Sequence, residues 1–415
     1  MTTTEPGPHR PIERAPERPA VTMPLLVLAG VLLVSLTMRA PIIAVAPAIA
    51  DIRDALHIDS ATAGLLTSIP VICFGLGTPL VLVLTRRTGI NQAVRISLIV
   101  ILAGILLRSA GGLAAALAGT LVMGLGITIT NVLVPAIIGR DFPGRTTQVT
   151  GFYTAALNIG SLSATLLGAP LAGWLTWRWA LATWAVVVLV AAVVWQRAVP
   201  LTAEHRSRTT KTSAPVLHDP TPLWRRRLVL GMIAAFTGQS FSYFGITAWL
   251  PTLLADERGL SAAQAGASST FFQATALFAA FGLPWAIGRG LGPRAALLVV
   301  CACWITLPLG LALAPGLWML WCCLGGFAQG GGFTVIFSVV VARSVSPDDA
   351  RRMSAAIQGV GYILASLGPI IVGAVHTATG TWTAPMLLIA GMLVMMAVGG
   401  SVAIGGRRTG TTMAR

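Results

Sequence analysis

Two short stretches decide how this chain is read: Ile58-Asp59-Ser60-Ala61-Thr62-Ala63-Gly64 and Leu260-Ser261-Ala262-Ala263-Gln264-Ala265-Gly266. Shifting the chain by about 202 residues lays one on the other, the mark of an internal duplication. At the same offset Arg87 falls on Arg289. One residue more brings Arg140 onto Arg343 and Trp179 onto Trp382. Each match is weak alone, but four landmarks in one order at one offset indicate two halves with one plan.

The sequence around these landmarks is not that of a soluble protein. It is 55% hydrophobic and only 10% charged, whereas a soluble domain carries roughly a quarter charged residues. The apolar residues arrive in blocks of about 20, the length needed to cross a hydrocarbon core about 30 Å thick at 1.5 Å per residue. Only a helix satisfies its own backbone polar groups there. The sequence therefore predicts helical spans at 24–46, 61–84, 93–108, 114–138, 149–173 and 178–199. A second set follows at 228–252, 262–287, 294–314, 316–342, 353–376 and 383–406. Arg108 and Pro308 trim the third and ninth. Six spans is an even number, so both halves enter the bilayer from the same side and the repeat is parallel. The expected organisation is an all-α integral membrane protein with halves at 24–199 and 228–406. A linker at 200–227 joins them, and disordered tails occupy 1–23 and 407–415.

The net charge of +15 raises the question of nucleic acid, and the placement of the charges answers it. With both termini cytoplasmic, about 23 of the 28 basic residues fall on cytoplasmic segments, the asymmetry of the positive-inside rule. Arg53, Arg108, Arg178 and Arg258 are assigned to the opposite side, and Arg39 lies inside the first span. The basicity is thus a topological signal, and the expected partners are a lipid bilayer and a small-molecule substrate rather than nucleic acid. The protein is expected to be monomeric. Ala44-Val45-Ala46 mimics a signal-peptide cleavage site, but Arg39 interrupts the apolar run and eleven spans follow. The composition, rich in Ala and Arg and nearly free of Lys, suggests a bacterium with a GC-rich genome and hence its inner membrane. The five cysteines all fall in apolar spans without metal-ligand spacing, and read as small core residues.

Polar side chains inside the spans are the candidates for function. Arg39 lies roughly 22 Å along the first span, where a charge is costly unless paired or wetted. It either binds an anionic or nitro group in a central cavity, or it snorkels outward or bonds carbonyls freed by Pro41. Asn131, Tyr153, Gln239, Tyr243, Gln273, Gln329, Gln358 and Tyr362 either orient a small polar solute or bond helix to helix. Trp249 and Phe272 are candidates to stack on a flat substrate; near a helix end an aromatic residue also serves as an interface anchor. Arg87, Arg140, Asp141, Arg145, Arg289 and Arg343 are candidate gate or interface charges at the cytoplasmic side, or a solvated basic rim. None of the 13 acidic residues lies in the middle of a span. No buried carboxylate is therefore expected to relay protons, which leaves facilitated diffusion, exchange, or proton movement tied to the substrate. With no His-Glu-x-x-His, no Gly-x-Ser-x-Gly and no intramembrane Asp pair, no enzyme, metal site or cofactor is expected.

Four groups of motifs carry a resemblance. Arg39-Ala40-Pro41 with Pro47 is one. A second runs from Gly126 through Asn131-Val132-Leu133-Val134-Pro135 to Arg140-Asp141-Phe142-Pro143-Gly144-Arg145, then Thr150-Gly151-Phe152-Tyr153. Trp177-Arg178-Trp179 with Gln239-Ser240, Tyr243 and Ala248-Trp249-Leu250-Pro251 is a third. The last is Gln329-Gly330-Gly331-Gly332-Phe333, followed by Gln358, Gly361-Tyr362, Leu367-Gly368-Pro369 and His376 to Trp382. Over nearly the whole chain these resemble the major facilitator superfamily, in the branch named for its cyanate and 2-nitroimidazole transporters. The chain departs at Thr37, where similar proteins often have Asn, and at Thr85-Arg86-Arg87-Thr88-Gly89, which lacks the usual acidic residue. The resemblance implies twelve helices, a substrate site near the midplane between halves, and alternating access. It favours the anion or nitro-group reading of Arg39, and it places helices 4, 7 and 10 around the cavity. The function it implies is transport of a small anionic or polar solute. The alternative within the fold is efflux of drugs or metabolites, whose cavity would want more aromatics and an acid.

Overall fold

The computed structural model describes residues 25–142, 145–199 and 222–405. The expected tails and most of the linker lie outside the described residues. Apart from short turns and loops the described residues are helical, and the helices group into twelve segments. The first half holds α1 (Leu25–Leu56), α2 (Ser60–Leu76 with Thr78–Thr88), α3 (Ile90–Ala110), α4 (Leu113–Asp141), α5 (Thr146–Leu175) and α6 (Trp177–Ala198). The second holds α7 (Arg227–Arg258), α8 (Ala262–Gly288), α9 (Pro293–Leu313), α10 (Trp318–Arg343), α11 (Pro347–Ala365 with Leu367–Thr379) and α12 (Thr383–Gly405). Among the described residues ten spans are long and apolar enough to cross a bilayer, and bent α2 makes an eleventh. The 27-residue α8 completes the twelve.

The two stretches that reveal the duplication are helix caps. Asp59 accepts the Thr62 N–H at 2.8 Å and opens α2. Ser261 and Gln264 open α8 by exchanging bonds, Gln264 N–H to Ser261 Oγ at 3.3 Å and Ser261 N–H to Gln264 Oε1 at 3.0 Å. The side chain of an N-cap satisfies backbone donors that the first turn leaves unpaired. The pattern of packing repeats as well. The pairs α1–α5, α1–α6, α2–α4, α3–α4 and α3–α6 recur as α7–α11, α7–α12, α8–α10, α9–α10 and α9–α12. Each half has its own apolar core, and only Ile49, Ala63 and Val71 of the first half join the core of the second. The halves meet along α2–α11 and α5–α8.

Two differences from the expected boundaries bear on the site. Helix α1 does not stop near residue 46. It breaks after Ile43, passes a 3-10 turn at Ala46–Ala48 and resumes over Ile49–Leu56, with Ile49 and Ile52 buried. Helix α3 runs past Arg108 to Ala110, whereas α9, over Pro293–Leu313, runs through Pro308 as the expected span 294–314 does. Arg108 is therefore not a loop residue on the far side: it is fully buried and donates from Nη1 to the Pro41 carbonyl at 2.7 Å. The break in α1 releases that carbonyl, because Val45 N–H turns back to Ile42 instead. The carbonyl-capping role weighed for Arg39 thus belongs to Arg108.

Other polar side chains pin helices together. Gln239 is fully buried; its Nε2 donates to the Gln329 carbonyl at 2.9 Å, and its Oε1 accepts the Trp304 indole N–H at 2.8 Å. This ties α7, α9 and α10. Trp249 donates to the Pro369 carbonyl at 2.8 Å, and Arg226 pairs with buried Asp349 at 2.7 Å. Elsewhere helices approach until only hydrogen fits. A Cβ at Gly119 would lie 2.2 Å from the Arg108 backbone nitrogen, and one at Gly104 would lie 2.3 Å from that of Met123.

Two substitutions test this packing. Gly119→Val is expected to force α3 and α4 apart and cost about 1–3 kcal/mol or more, read as a lower unfolding midpoint in detergent. Gly391→Ala, with no atom within 4 Å, should leave the midpoint unchanged or slightly raised. Equal midpoints for the two would contradict the α3–α4 geometry. Gln239→Leu orphans the Trp304 N–H and is expected to cost about 1–3 kcal/mol while sparing ligand affinity; a large loss of affinity with unchanged stability would reverse that assignment.

Candidate functional site

A cavity of about 370 Å³ lies between the halves. Its walls come from α1, α2, α4 and α5 on one side and α7, α10 and α11 on the other. Tyr153 and Phe337 line it only about 10 Å along their helices from the face that carries the chain ends, and Arg39 stands about 20 Å in. Toward the opposite face the halves close. A Cβ at Gly64 would lie 2.7 Å from the Pro369 carbonyl oxygen, and one at Gly373 would lie 2.7 Å from the Ser60 carbonyl oxygen. On the other seam, Gly266 faces Ala169 and the Thr165 carbonyl. Gly64 and Gly266 are the equivalent glycines of the two repeat stretches.

Seven of the ten expected substrate residues are brought together here: Arg39, Asn131, Tyr153, Tyr243, Gln329, Gln358 and Tyr362. Arg39 is the centre. Its Nη1 donates to the Tyr243 hydroxyl at 2.8 Å, and its guanidinium carbon lies 5.1 Å from the centre of the same ring. The bond links α1 of one half to α7 of the other. Asn131, Tyr153, Gln358 and Tyr362 are partly exposed to the cavity. A guanidinium ringed by phenols and neutral amides can hold one negative or nitro group, by bidentate hydrogen bonding, without a carboxylate competing for it. Among the described lining residues Arg39 is the sole charge.

Three expected residues lie elsewhere. Gln239 is committed to Gln329 and Trp304, behind the wall. Trp249 is fully buried, bonded to Pro369 and tilted against Trp382, so it is neither a cavity wall nor an interface anchor. Gln273 is buried off the cavity, with no partner for its Oε1. Phe272 stacks behind the cavity on Trp304 at 5.5 Å. The sequence reading missed Phe74, Phe244, Phe333 and Phe337, together with Thr154, Asn158 and Thr334, all of which line the cavity. The duplication offset was the available signal for Thr334, since Arg140 falls on Arg343 and Asn131 falls on Thr334 at the same shift.

The candidate gate residues cluster at the face of the chain ends. Arg140 pairs with Asp141 at 2.6 Å and donates to Asn91 Oδ1 at 2.9 Å, tying the end of α4 to the start of α3. Its repeat partner Arg343 donates to the Ile404 carbonyl at 2.6 Å, tying α10 to α12. Arg87, Arg145 and Arg289 are exposed at the same face.

Comparison with known proteins matches this architecture. Residues 27–369 match the Major Facilitator Superfamily model. The chain is 31% identical over 379 residues to the uncharacterized transporter YycB of Bacillus subtilis (strain 168), covering 90% of this chain and 92% of that one. It is 30% identical to the 2-nitroimidazole transporter of Escherichia coli (strain K12), over 91% and 94% of the two chains. The cyanate transport protein CynX of the same organism is 30% identical over 88% and 94%. Among solved structures, a point mutant of the nucleoside transporter NupG superposes with a TM-score of 0.72 at 14% identity, over 91% of this chain and 99% of that one. The D-xylose–proton symporter gives 0.70 at 13% identity, over 91% and 97%. Twelve helical segments with a repeated packing pattern about a cavity between the halves, in a chain matched along most of its length, identify a small-solute transporter, not an enzyme, that belongs to the Major Facilitator Superfamily.

Proposed function

We propose that this protein carries a small anionic or polar planar solute, such as a cyanate-like anion or a nitro-heterocycle, by alternating access, with Arg39 as its anchor. The observation that carries this reading is the lone guanidinium in the cavity wall. A charge at that depth costs at least about 2.5–3.5 kcal/mol in a bilayer, and the Tyr243 hydroxyl and ring offset only part of it. Relatives at 30% identity that are named for 2-nitroimidazole and cyanate support a solute of this kind. Asn131, Gln329 and Gln358 then orient the solute from the neutral walls.

The face bearing the chain ends is cytoplasmic, and the membrane is the bacterial inner membrane. Arg86, Arg87, Arg140, Arg145 and Arg289 at that face, against Arg53, Arg178 and Arg258 at the other, support this orientation. Moving Arg108 into the protein interior sharpens the asymmetry. The cavity is then open to the cytoplasm and closed outside. Arg140 with Asp141, and Arg343, hold the cytoplasmic ends of α4 and α10 to neighbours in their own halves, and Arg87, Arg145 and Arg289 form the basic rim. The carrier works as a monomer, with its site between its own halves. The efflux reading gains from the aromatic walls and loses from the absence of any acid among the described lining residues.

Arg39→Ala is expected to weaken binding of the transported anion at least tenfold, about 1.4 kcal/mol, in protein that still folds. Arg39→Lys should recover part of it, keeping the charge but losing the planar fork. Unchanged affinity in the alanine variant would remove Arg39 from the site. Binding of a strong-acid anion is also expected to vary less than about twofold between pH 6 and 8, because no histidine or carboxylate is among the described lining residues. A drop centred near pH 6.5 would reveal a histidine in the binding step.

A further inference from the structure

The cavity is built to hold more than a charge. The chain has only three tyrosines, and all three line it: Tyr153, Tyr243 and Tyr362. Phe74, Phe244, Phe333 and Phe337 join them, so seven of the twenty lining residues carry aromatic rings, against 7% aromatic residues in the whole chain. That concentration is a property of this surface and not of the composition.

Six of the seven rings are also held by other rings. Phe236, fully buried behind the wall, meets Tyr362 edge-on at 4.9 Å, Phe333 at 5.5 Å and Phe337 at 5.9 Å. Phe74 meets Tyr362 edge-on at 5.4 Å. Tyr243 has Phe244 at its edge at 5.1 Å and Phe272 stacked behind it at 6.4 Å. Edge-to-face contacts are the preferred geometry of aromatic pairs, so the wall is organised before any ligand enters. A ligand that stacks on such a wall loses little to reordering it.

Charge and size narrow the ligand further. One guanidinium and no carboxylate among the described lining residues neutralise a single negative charge; a second charge on the ligand stays unpaired in a low-dielectric pocket. A cavity of about 370 Å³ holds roughly a dozen waters at ~30 Å³ each. A three-atom anion leaves most of that space to water against aromatic faces, whereas a ring bearing an acidic group displaces several of those waters and covers more of the aromatic surface.

Resting on the reading of Arg39 as the anchor, we infer that the preferred substrate is a planar aromatic monoanion. Its acidic group sits on Arg39, and its ring lies among Tyr153, Tyr362, Phe333 and Phe337. The amides Asn131, Gln329 and Gln358 meet ring substituents. Aliphatic acids, dianions and triatomic anions bind more weakly, which narrows the proposed cargo from cyanate-like anions to ring-bearing ones.

The test is equilibrium binding to purified full-length protein of five probes. These are benzoate, cyclohexanecarboxylate with the same charge but no π face, benzamide with the ring but no charge, the dianion terephthalate, and cyanate. Benzoate is expected to bind at least tenfold more tightly than each of the others. Arg39→Ala should erase its advantage over benzamide, and Tyr362→Leu its advantage over cyclohexanecarboxylate. Equal binding of benzoate and cyclohexanecarboxylate, both lost in Arg39→Ala, overturns the aromatic inference and leaves the anchor standing. Equal binding of benzoate and benzamide, unaffected by Arg39→Ala, overturns the anchor and the inference together. Binding of cyanate or terephthalate as tightly as benzoate, or no binding of any probe to the folded wild-type protein, also overturns the aromatic inference. The comparison among probes on the wild-type chain decides the matter even if a variant fails to fold.

Discussion

A guanidinium inside a hydrocarbon slab must find oxygen, and in this protein it finds it without a carboxylate. Two arginines are placed this way, and both act on α1. Arg108 reaches from α3 to the Pro41 carbonyl, which is released by the break after Ile43. Two residues before that proline, Arg39 reaches the other way, across the midplane, to the Tyr243 hydroxyl. Helix α1 is therefore held from its own half by one arginine and tied to the opposite half by another. The arrangement is costly: Nε and Nη2 of Arg108 have no partner, and unpaired buried donors are destabilising. Arg108 bears that cost for structure alone, whereas Arg39 lines the cavity, so the argument for a polar cargo rests on where Arg39 stands and not on its depth.

The seams between the halves are of a different kind. Gly64 lies against the backbone at Pro369, Gly373 against that at Ser60, and Gly266 against Ala169 and Thr165. Small residues let helix backbones approach closely, and dispersion then supplies most of the attraction. Among the described residues, Arg140 pairs with Asp141 inside the first half and Arg226 with Asp349 inside the second. A seam of glycine against backbone exposes no unpaired charge when it parts. Within the halves, by contrast, Gln239, Trp249, Arg226 and Arg343 pin the second, and Arg108 and Arg140 tie helices of the first, and separating them would leave polar groups without partners. Rigid halves joined by a separable seam are the mechanical requirement of alternating access.

Much of this was legible in the sequence. Apolar blocks of membrane-spanning length, a parallel repeat and the arginine asymmetry together specify the fold and its expected orientation in the bilayer. The aligned stretches at 58–64 and 260–266 are more than markers: one position caps a helix and another, a glycine, meets the opposite half. What failed was the assignment of faces. Helices apolar on every side carry no stripe that tells inside from outside. Gln239 and Gln329 therefore looked alike, although one is spent on helix packing and the other lines the cavity. Arg108, near the end of an apolar run, reads as a boundary charge until α3 is seen to continue past it. The four cavity phenylalanines were invisible for the same reason: in such helices an aromatic side chain is indistinguishable from core.

The bond between Arg39 and Tyr243 also bears on how cargo and conformation are linked. A ligand shifts a conformational equilibrium only by its differential affinity for the two states. The guanidinium spends its Nη1 on the Tyr243 hydroxyl of the other half. A carboxylate or similar anion is a stronger acceptor than a phenol, so its arrival replaces a tie between α1 and α7 with a tie between Arg39 and the cargo. Empty and loaded carriers then differ in the contact that joins their halves at the midplane, with no protonated carboxylate needed to register the difference. The same exchange sets a limit on the cargo. A solute that leaves Arg39 bonded to Tyr243 biases the two states only through the rings, which come from both halves. On the proposed reading, contact with the rings and exchange at the arginine are thus separate contributions to the coupling.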